Sequence, residues 1–383
     1  MTGVQTCALP IYEGSQDYDL ALRCIARTDK VRHLPYVLYH WRSIAGSTAA
    51  NVDAKDYAKD AAQRALSDHF RARDPRIQVE TGLWPTTYRV KYPLPAEPPL
   101  ASLLIPTRDG LDILRRCIES VYEKTRYPAF EIVIVDNDSR DPDTLRYLEE
   151  LQAAGRARIV RYPHKFNYSA INNLAAREAR GEVLVLLNND VEIIAPGWLE
   201  ELVAQALRPG IGAVGAKLLY PNDTIQHSGV ITGLYGIAGH IHRHLPRESP
   251  GHFGRAQVLQ QMTVVTGACL AVRKSVYQKL GGLDEQNLAV AFNDVDFCLR
   301  CIEAGYKNLY TPFAELYHHE SYSRGTENTP EKKARFSGEI EYMGKRWKHI
   351  LAADPCYNPN LSLFSENFAL AWPPRNAKPW NRG

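Results

Sequence analysis

No apolar run in the sequence approaches the ~20 residues that a membrane-spanning helix needs; the longest candidates, such as residues 183–187, have the length of a strand. Neither sign of charge is in excess. With 46 basic and 43 acidic residues the formal charge is +3, which makes no electrostatic case for nucleic acid, although a mildly basic surface suits anionic sugar nucleotides or lipid headgroups. Cysteine is scarce: seven residues, odd in number and scattered, argue against a disulfide framework and for a reducing compartment. Cys298 and Cys301 have CxxC spacing but lack the second ligand pair of a structural zinc site, and are read as core cysteines of an amphipathic helix. No GxGxxG follows a strand, which excludes a dinucleotide-dependent oxidoreductase. The loop Thr107-Arg108-Asp109-Gly110 is too poor in glycine for the phosphate cradle of a nucleotidyltransferase.

What is present is a globular composition, 45% hydrophobic and 23% charged, in a chain of 383 residues that can bury one large core or two ordinary ones. Residues 1–11 (MTGVQTCALPI) have no basic n-region and too short an apolar stretch for a secretory signal, and are set aside as a non-native, adapter-like scar. The stretch QDYDLALRCI at 16–25 recurs as NDVDFCLRCI at 293–302, and residues 31–42 likewise match residues 307–320. Each copy reads as a helix, then a short strand, a proline turn and an aromatic-histidine segment. The expected organisation is therefore a C-terminal remnant of an upstream domain at 12–73 and a linker at 74–99, marked by the proline cluster of residues 92–99 (YPLPAEPP). A complete domain follows at 100–325, with a helical and irregular tail at 326–383.

Within 100–325 the apolar pattern alternates. Strands are expected at 100–105, 131–135, 157–161 and 183–187, and helices at 111–122, 144–154, 169–180 and 196–207. This predicts an α/β fold with a mainly parallel sheet flanked by helices, in which ligands bind beyond the carboxyl ends of the strands. Those ends carry Pro106-Thr107-Arg108, Asp136-Asn137-Asp138-Ser139 and Asn188-Asn189-Asp190. Acidic and amide groups thus gather at one edge. Each also has a structural alternative, because Asp, Asn and Ser cap helices: Asp138 and Ser139 for the next helix, Asp190 for the helix at 196–207.

On these motifs the chain from 100 to 325 resembles a family 2 glycosyltransferase with the GT-A fold. The resemblance implies that Asp136 contacts the nucleotide base, where a carboxylate accepts the imide N–H of uracil or thymine, and that Pro106, Thr107 and Arg108 lie against the nucleoside. Asn188-Asn189-Asp190 stands where the family has its DxD motif, with an amide in place of the first carboxylate. Asp190 is then the metal ligand, with the diphosphate and waters completing the shell of a divalent cation, Mn or Mg. Asp294, in Phe292-Asn293-Asp294-Val295-Asp296, resembles the family's Glu-Asp motif at a helix start, again with an amide first; it is the expected general base, ahead of Asp296. In Leu316-Tyr317-His318-His319-Glu320 the motif position favours His318 over His319 as a second metal ligand, and Arg324 pairs with phosphate.

The segments Gly215-Ala216-Lys217-Leu218 and Ile225-Gln226-His227-Ser228-Gly229 resemble rhamnosyltransferase-like members. Residues 265–269 resemble the strand that lines the sugar, where Gly267 permits close backbone approach. A single base and no marked nucleophile imply inversion at the anomeric centre. The expected function is transfer of a sugar from a UDP- or dTDP-activated donor, rhamnose or another deoxyhexose, to a glycan or lipid-linked glycan acceptor in surface polysaccharide synthesis. Nucleic acid is not an expected partner, and the oligomeric state is left open. A cytoplasmic place is expected, with room for peripheral contact at the inner face of the membrane. The alternative is a sugar- or nucleotide-binding module that has lost its chemistry, motivated by the amides at Asn188 and Asn293.

Overall fold

The computed structural model describes residues 12–40, 56–320 and 329–376, in two compact units that divide between Pro93 and Leu94. The first unit holds helices α1 (Gln16–Ile25) and α2 (Asp56–Arg71) and an antiparallel hairpin of β1 (Gln78–Thr81) and β2 (Tyr88–Lys91). Its small core gathers Leu22, Ala65 and Leu66 with Val79, Tyr88 and Val90 packed against them. The helix expected from the internal repeat is therefore present at α1. The strand expected after it is not: residues 31–40 are irregular, with a bend at Tyr36 and no ladder partners, and Val37, Leu38 and Tyr39 are exposed. A strand needs a neighbour for its backbone N–H and C=O groups, and this segment pairs with no described strand. The stretch expected to be linker, 74–99, contains the hairpin instead, and only its last residues lie past the division at Pro93.

The second unit follows the alternation read from the sequence. In order it runs β3 (Ala101–Thr107), α3 (Leu111–Lys124), β4 (Phe130–Asp136), α4 (Pro142–Ala153), β5 (Arg158–Arg161), α5 (Tyr168–Glu178), β6 (Val183–Leu187), β7 (Val191–Ile193) and α6 (Trp198–Ala206). Then come β8 (Ile211–Leu219), β9 (Ile225–His227), β10 (Val230–Thr232), β11 (Ala238–His240), β12 (Gln260–Met262), β13 (Cys269–Arg273), α7 (Lys274–Lys279), α8 (Asn293–Glu303), β14 (Lys307–His318), α9 (Pro330–Arg346) and α10 (Lys348–Ala352). The main sheet orders its strands β12-β14-β8-β13-β6-β3-β4-β5, with β7 on β14 and β9 on β8. From β6 to β5 the pairs are parallel, whereas β13 runs antiparallel to both of its neighbours.

Alternation along the buried strands sends successive residues to opposite faces. Leu104, Val133 and Val135 join one core with α5, α7 and α8; Leu103, Ile105, Ile132 and Ile134 join the other with α3, α4 and α6. Helix starts are set by short polar side chains. Asp141 accepts the Thr144 N–H at 2.9 Å ahead of Pro142, and Asn167 accepts the Ala170 N–H at 2.9 Å. The cap of α4 is thus Asp141 rather than Asp138 or Ser139. Helix α6 begins after Gly197 with no side-chain cap, so Asp190 caps nothing there. Cys298 and Cys301 are fully buried on α8, where burial pushes the Cys301 thiol up to about 12, in keeping with core packing.

Residues 329–376 are integral to this unit. Met343, Trp347, Ile350 and Leu351 are buried in the first core, and Asp354 accepts the Thr232 N–H at 2.7 Å and the Thr263 hydroxyl at 2.5 Å.

Candidate functional site

The parallel strands β3, β4 and β6 end side by side, and their following loops are stitched together. Ser139 Oγ accepts the Asp109 N–H at 2.8 Å, and Asp109 Oδ1 accepts the N–H groups of Arg140 and Asp141 at 2.7 and 2.9 Å. Asp109 and Asp138 hold left-handed backbone conformations, φ 50° and 59°, which these side-chain ties sustain. Beyond the strand ends opens a cleft of about 580 Å3, lined by Pro106, Thr107, Arg108, Asn137, Asn188, Asn189 and Asp190 among others. Lys332 and Arg335 of α9 close its far side. Sequence reasoning missed these two, because they come from a helix more than 100 residues further along the chain.

Asp136 does not reach that lining. It is fully buried, its carboxylate held by the Arg161 guanidinium and by the Ser139 N–H at 3.1 Å. The next residue, Asn137, borders the cleft. Its Nδ2 donates to the carbonyls of Tyr162 and His164 at 2.9 and 2.7 Å, which fixes the amide orientation, and its buried Oδ1 has no protein donor. Both residues are thus nearly fully buried, and of the two only Asn137 borders the cleft.

Asn188, Asn189 and Asp190 form the turn between β6 and β7. Asn189 donates to Thr107 Oγ1 at 3.1 Å and locks the turn to the end of β3. Asn188 Oδ1 faces the Tyr168 hydroxyl at 3.1 Å, and its Nδ2 faces His318 Nε2 at 3.3 Å. Because β14 pairs with β7, His318 lies opposite Val191, and its Nε2 is 3.1 Å from Asp190 Oδ1. His319 points elsewhere, to Glu192 at 3.2 Å. The structure therefore brings the His318 side chain to the Asp190 carboxylate, whereas His319 meets Asp190 only through its backbone N–H, which donates to the Asp190 carbonyl at 2.9 Å. Arg324 lies outside the described residues.

A second cleft, of about 380 Å3, shares Tyr168, Asn188, Asp190 and Val290 with the first and continues past them to Gly267, Asn293, Asp294, Gln226, His240, Arg243 and Glu320. Asp294 opens α8 after Phe292, whose left-handed backbone, φ 60°, turns the chain into the helix. Its Oδ2 accepts the Gly267 N–H at 2.8 Å and its Oδ1 the Val295 N–H at 2.8 Å. Gly267 sits in the turn before β13 rather than within the strand expected there. A Cβ at that position would make only ordinary contacts, the nearest 3.4 Å from the Asp294 Cβ, so the glycine leaves open space at the carboxylate. Asp296 is fully buried and bound by Arg300 at 2.7 Å and by the Trp347 indole at 2.9 Å. Asn293 donates to the Val290 carbonyl at 2.9 Å and shapes the turn. Of the three polar residues at this helix start, only Asp294 is held by backbone donors at the cleft wall.

Of the secondary motifs, Lys217 is buried on β8 against Glu315 at 3.1 Å and the Arg247 carbonyl at 2.7 Å, a structural pairing. His227 is buried with its Nδ1 3.1 Å from His240 Nδ1. Burial and the nearby His240 and His318 hold its pKa well below the ordinary histidine value.

Among the described residues no group of three or more His, Cys, Asp and Glu could hold a metal ion by itself. The pair Asp190 and His318 nonetheless fits a hard divalent cation that also takes ligands from a bound diphosphate. Two adjacent ligands of an octahedral ion at ~2.1 Å lie about 3 Å apart. The Asp190 oxygen and His318 nitrogen are separated by 3.1 Å.

Comparison with known proteins bears on the family and the fold. An uncharacterised protein of Sinorhizobium fredii, y4gI, is 49% identical over 366 residues, which cover 94% of this chain and 40% of that protein. The O-antigen biosynthesis protein RfbC of Myxococcus xanthus is 38% identical over 371 residues, 96% of this chain and 28% of that protein. The chain thus spans well under half the length of these two relatives. A crystal structure of GalNAc-T7 with UDP, GalNAc and Mn2+ aligns with a TM-score of 0.52 at 17% identity, over 70% of this chain and 52% of that one, a likeness of fold. The fold is of the GT-A type, a sheet parallel from β6 to β5 and covered by helices on both faces. The model of the glycosyl transferase family 2 matches residues 102–281, so the second unit carries a domain of that family of glycosyltransferases.

Proposed function

We propose that the second unit transfers a sugar, with inversion, from a nucleoside diphosphate donor to a glycan acceptor in surface polysaccharide synthesis. The observation that carries this reading is the shared wall. Asp190, Asn188 and Tyr168 stand between two clefts, one with Asn137 and the β3 loop, the other with Asp294. A donor lying in the first cleft places its phosphates at that wall, and an acceptor hydroxyl in the second meets the sugar from the opposite side.

In the first cleft Asn137 Oδ1 accepts a base N–H, such as the imide of uracil or thymine, while Pro106, Thr107 and Arg108 bound the nucleoside. Lys332 and Arg335 add positive charge toward the diphosphate. Asp190 and His318 hold a divalent cation, Mn or Mg, which when bound stabilises the charge on the departing diphosphate as a Lewis acid. Asp294 takes the acceptor hydroxyl proton as the new bond forms. The anomeric carbon is attacked from the face opposite the leaving phosphate; of the other carboxylates lining this cleft, Asp190 is assigned to the cation and Glu320 accepts from Gln226. The sugar is proposed to be rhamnose or another deoxyhexose, following the resemblance of the Gly215 and Ile225 segments. The O-antigen role named for the M. xanthus relative supports a polysaccharide acceptor, free or lipid-linked. No described helix is long and apolar enough to cross a membrane. Action at the cytoplasmic face, with peripheral membrane contact, remains part of this proposal.

The test is a panel of UDP- and dTDP-sugars with Mn2+ and a mixed glycan acceptor. Transfer that disappears in Asp190→Ala and Asp294→Asn supports the reading. Nucleotide binding with no turnover of any donor overturns it in favour of a binding module, the alternative raised by the amides at Asn188 and Asn293.

A further inference from the structure

Gln226 on β9 is nearly fully buried, yet all its polar atoms are engaged around His318. Its Nε2 donates to the His318 carbonyl at 3.3 Å and to Glu320 Oε2 at 3.2 Å, and its Oε1 is 2.6 Å from His318 Nδ1. The amide has one workable orientation. Reversed, its oxygen would face a carbonyl and a carboxylate, two acceptors, and its NH2 would face the ring. With the oxygen toward the ring, His318 must carry its proton on Nδ1 and donate it to Gln226. In the neutral ring the lone pair is then on Nε2, 3.1 Å from Asp190 Oδ1, with Asn188 Nδ2 facing it as a donor at 3.3 Å.

From this we infer that Gln226 is a positioning residue of the metal site, fixing the tautomer and ring plane of His318 so that Nε2 and Asp190 meet one cation. The inference rests on the metal-dependent reading given above. A histidine ligand whose second nitrogen is not held can rotate or change tautomer, and loss of such an outer partner typically lowers metal affinity about 10–100-fold. The Ile225-Gln226-His227 segment thereby serves the donor phosphates from the acceptor side of the sheet, through β9 and its pairing with β8.

The experiment measures Mn2+ binding to the full chain in the presence of UDP, by titration calorimetry and by the 14N coupling of a coordinated imidazole in pulsed electron paramagnetic resonance. Wild type is expected to bind with a 14N signal, His318→Ala to lose that signal, and Gln226→Leu to bind about 10–100-fold more weakly with the signal diminished. The exchange Gln226→Glu with Glu320→Gln keeps an acceptor for Nδ1–H and a donor between the two side chains. It is expected to recover most of the affinity, and it separates loss of positioning from loss of folding. Wild-type affinity and 14N signal in Gln226→Leu, with both lost in His318→Ala, would overturn the role of Gln226 alone. Binding by wild type that is indifferent to Asp190→Asn and His318→Ala would overturn the metal site itself, and the positioning role with it.

Discussion

The backbone N–H of Gly267 donates to Asp294 Oδ2 at 2.8 Å, so a residue on the turn before β13 sets the carboxylate at the start of α8. With Oδ1 bound by the Val295 N–H, the side chain is pinned by two backbone donors and cannot turn away from the second cleft. Asp294→Asn keeps one acceptor for these donors but removes the base. Transfer is expected to fall ~10²- to 10⁴-fold with donor affinity and thermal stability little changed, as initial rates, calorimetry and melting would show. Unchanged rates would assign the proton to another group.

Asp136 and Asn137 are neighbours with opposite roles, and substitution should separate them. Asn137→Ala removes one acceptor from the donor cleft and is expected to weaken UDP binding by about 3- to 10-fold, the worth of a single hydrogen bond, and to cost about 1–3 kcal/mol of stability because the Tyr162 and His164 carbonyls lose their donor. Asp136→Ala strips the Ser139 N–H and the Arg161 guanidinium of their buried partner and is expected to lower stability by about 1–3 kcal/mol. Equilibrium urea unfolding and nucleotide titration of both variants would decide. Loss of UDP affinity in Asp136→Ala without loss of stability would return the base contact to Asp136.

This pair also marks how far the sequence could be read. The continuous apolar stretch VLVLL had one interpretation, a strand buried on both faces, and β6 matches it residue for residue. That polar groups gather past the strand ends was likewise legible, because parallel sheets put loops there. Which of two consecutive polar residues faces the cleft was not, since it depends on a long-range partner, Arg161, that fills the space behind Asp136. Lys332 and Arg335 were unreadable for the same reason: nothing local says that α9 folds back over the β3 loop. The hairpin at Gln78–Thr81 and Tyr88–Lys91 was overlooked because its strands are four residues long and mostly half-exposed, leaving little alternation to detect beside a proline cluster.

Trp347 ties the segment of residues 329–376 to the catalytic domain, filling the first core and donating its indole N–H to Asp296 at 2.9 Å. Trp347→Ala is expected to cost ~3–5 kcal/mol, from the cavity and from a fully buried carboxylate left with one fewer donor. Trp347→Phe keeps most of the packing and should lose about 1–3 kcal/mol. Both are read from urea unfolding of the full chain. If Trp347→Ala unfolds at the wild-type midpoint, the segment does not contribute to this core.

His242 makes the second unit sensitive to mild acid. It is nearly fully buried, and burial, then the charges of Arg255 and His252, hold its pKa down to about 3. The hydrogen bonds point the same way. Ser228 donates to the Ile241 carbonyl, so its oxygen takes the Nδ1–H of His242, while Nε2 accepts the His252 N–H at 3.1 Å; a proton added to Nε2 would face another donor. The unfolded chain takes up that proton near 6.5, and the folded chain refuses it until about 3. Between those values the unfolded state binds more protons, so stability is complete above 6.5 and falls as pH drops. The slope approaches ~1.4 kcal/mol per pH unit for one such histidine, and His227 and His240, both lowered by burial, act in the same direction. Urea midpoints measured at pH 7.5, 6 and 5 should decline steadily, and His242→Gln, less stable throughout, should decline by about one proton's worth less. A wild-type profile that stays flat from 7.5 to 5 would mean that His242 is charged in the folded chain.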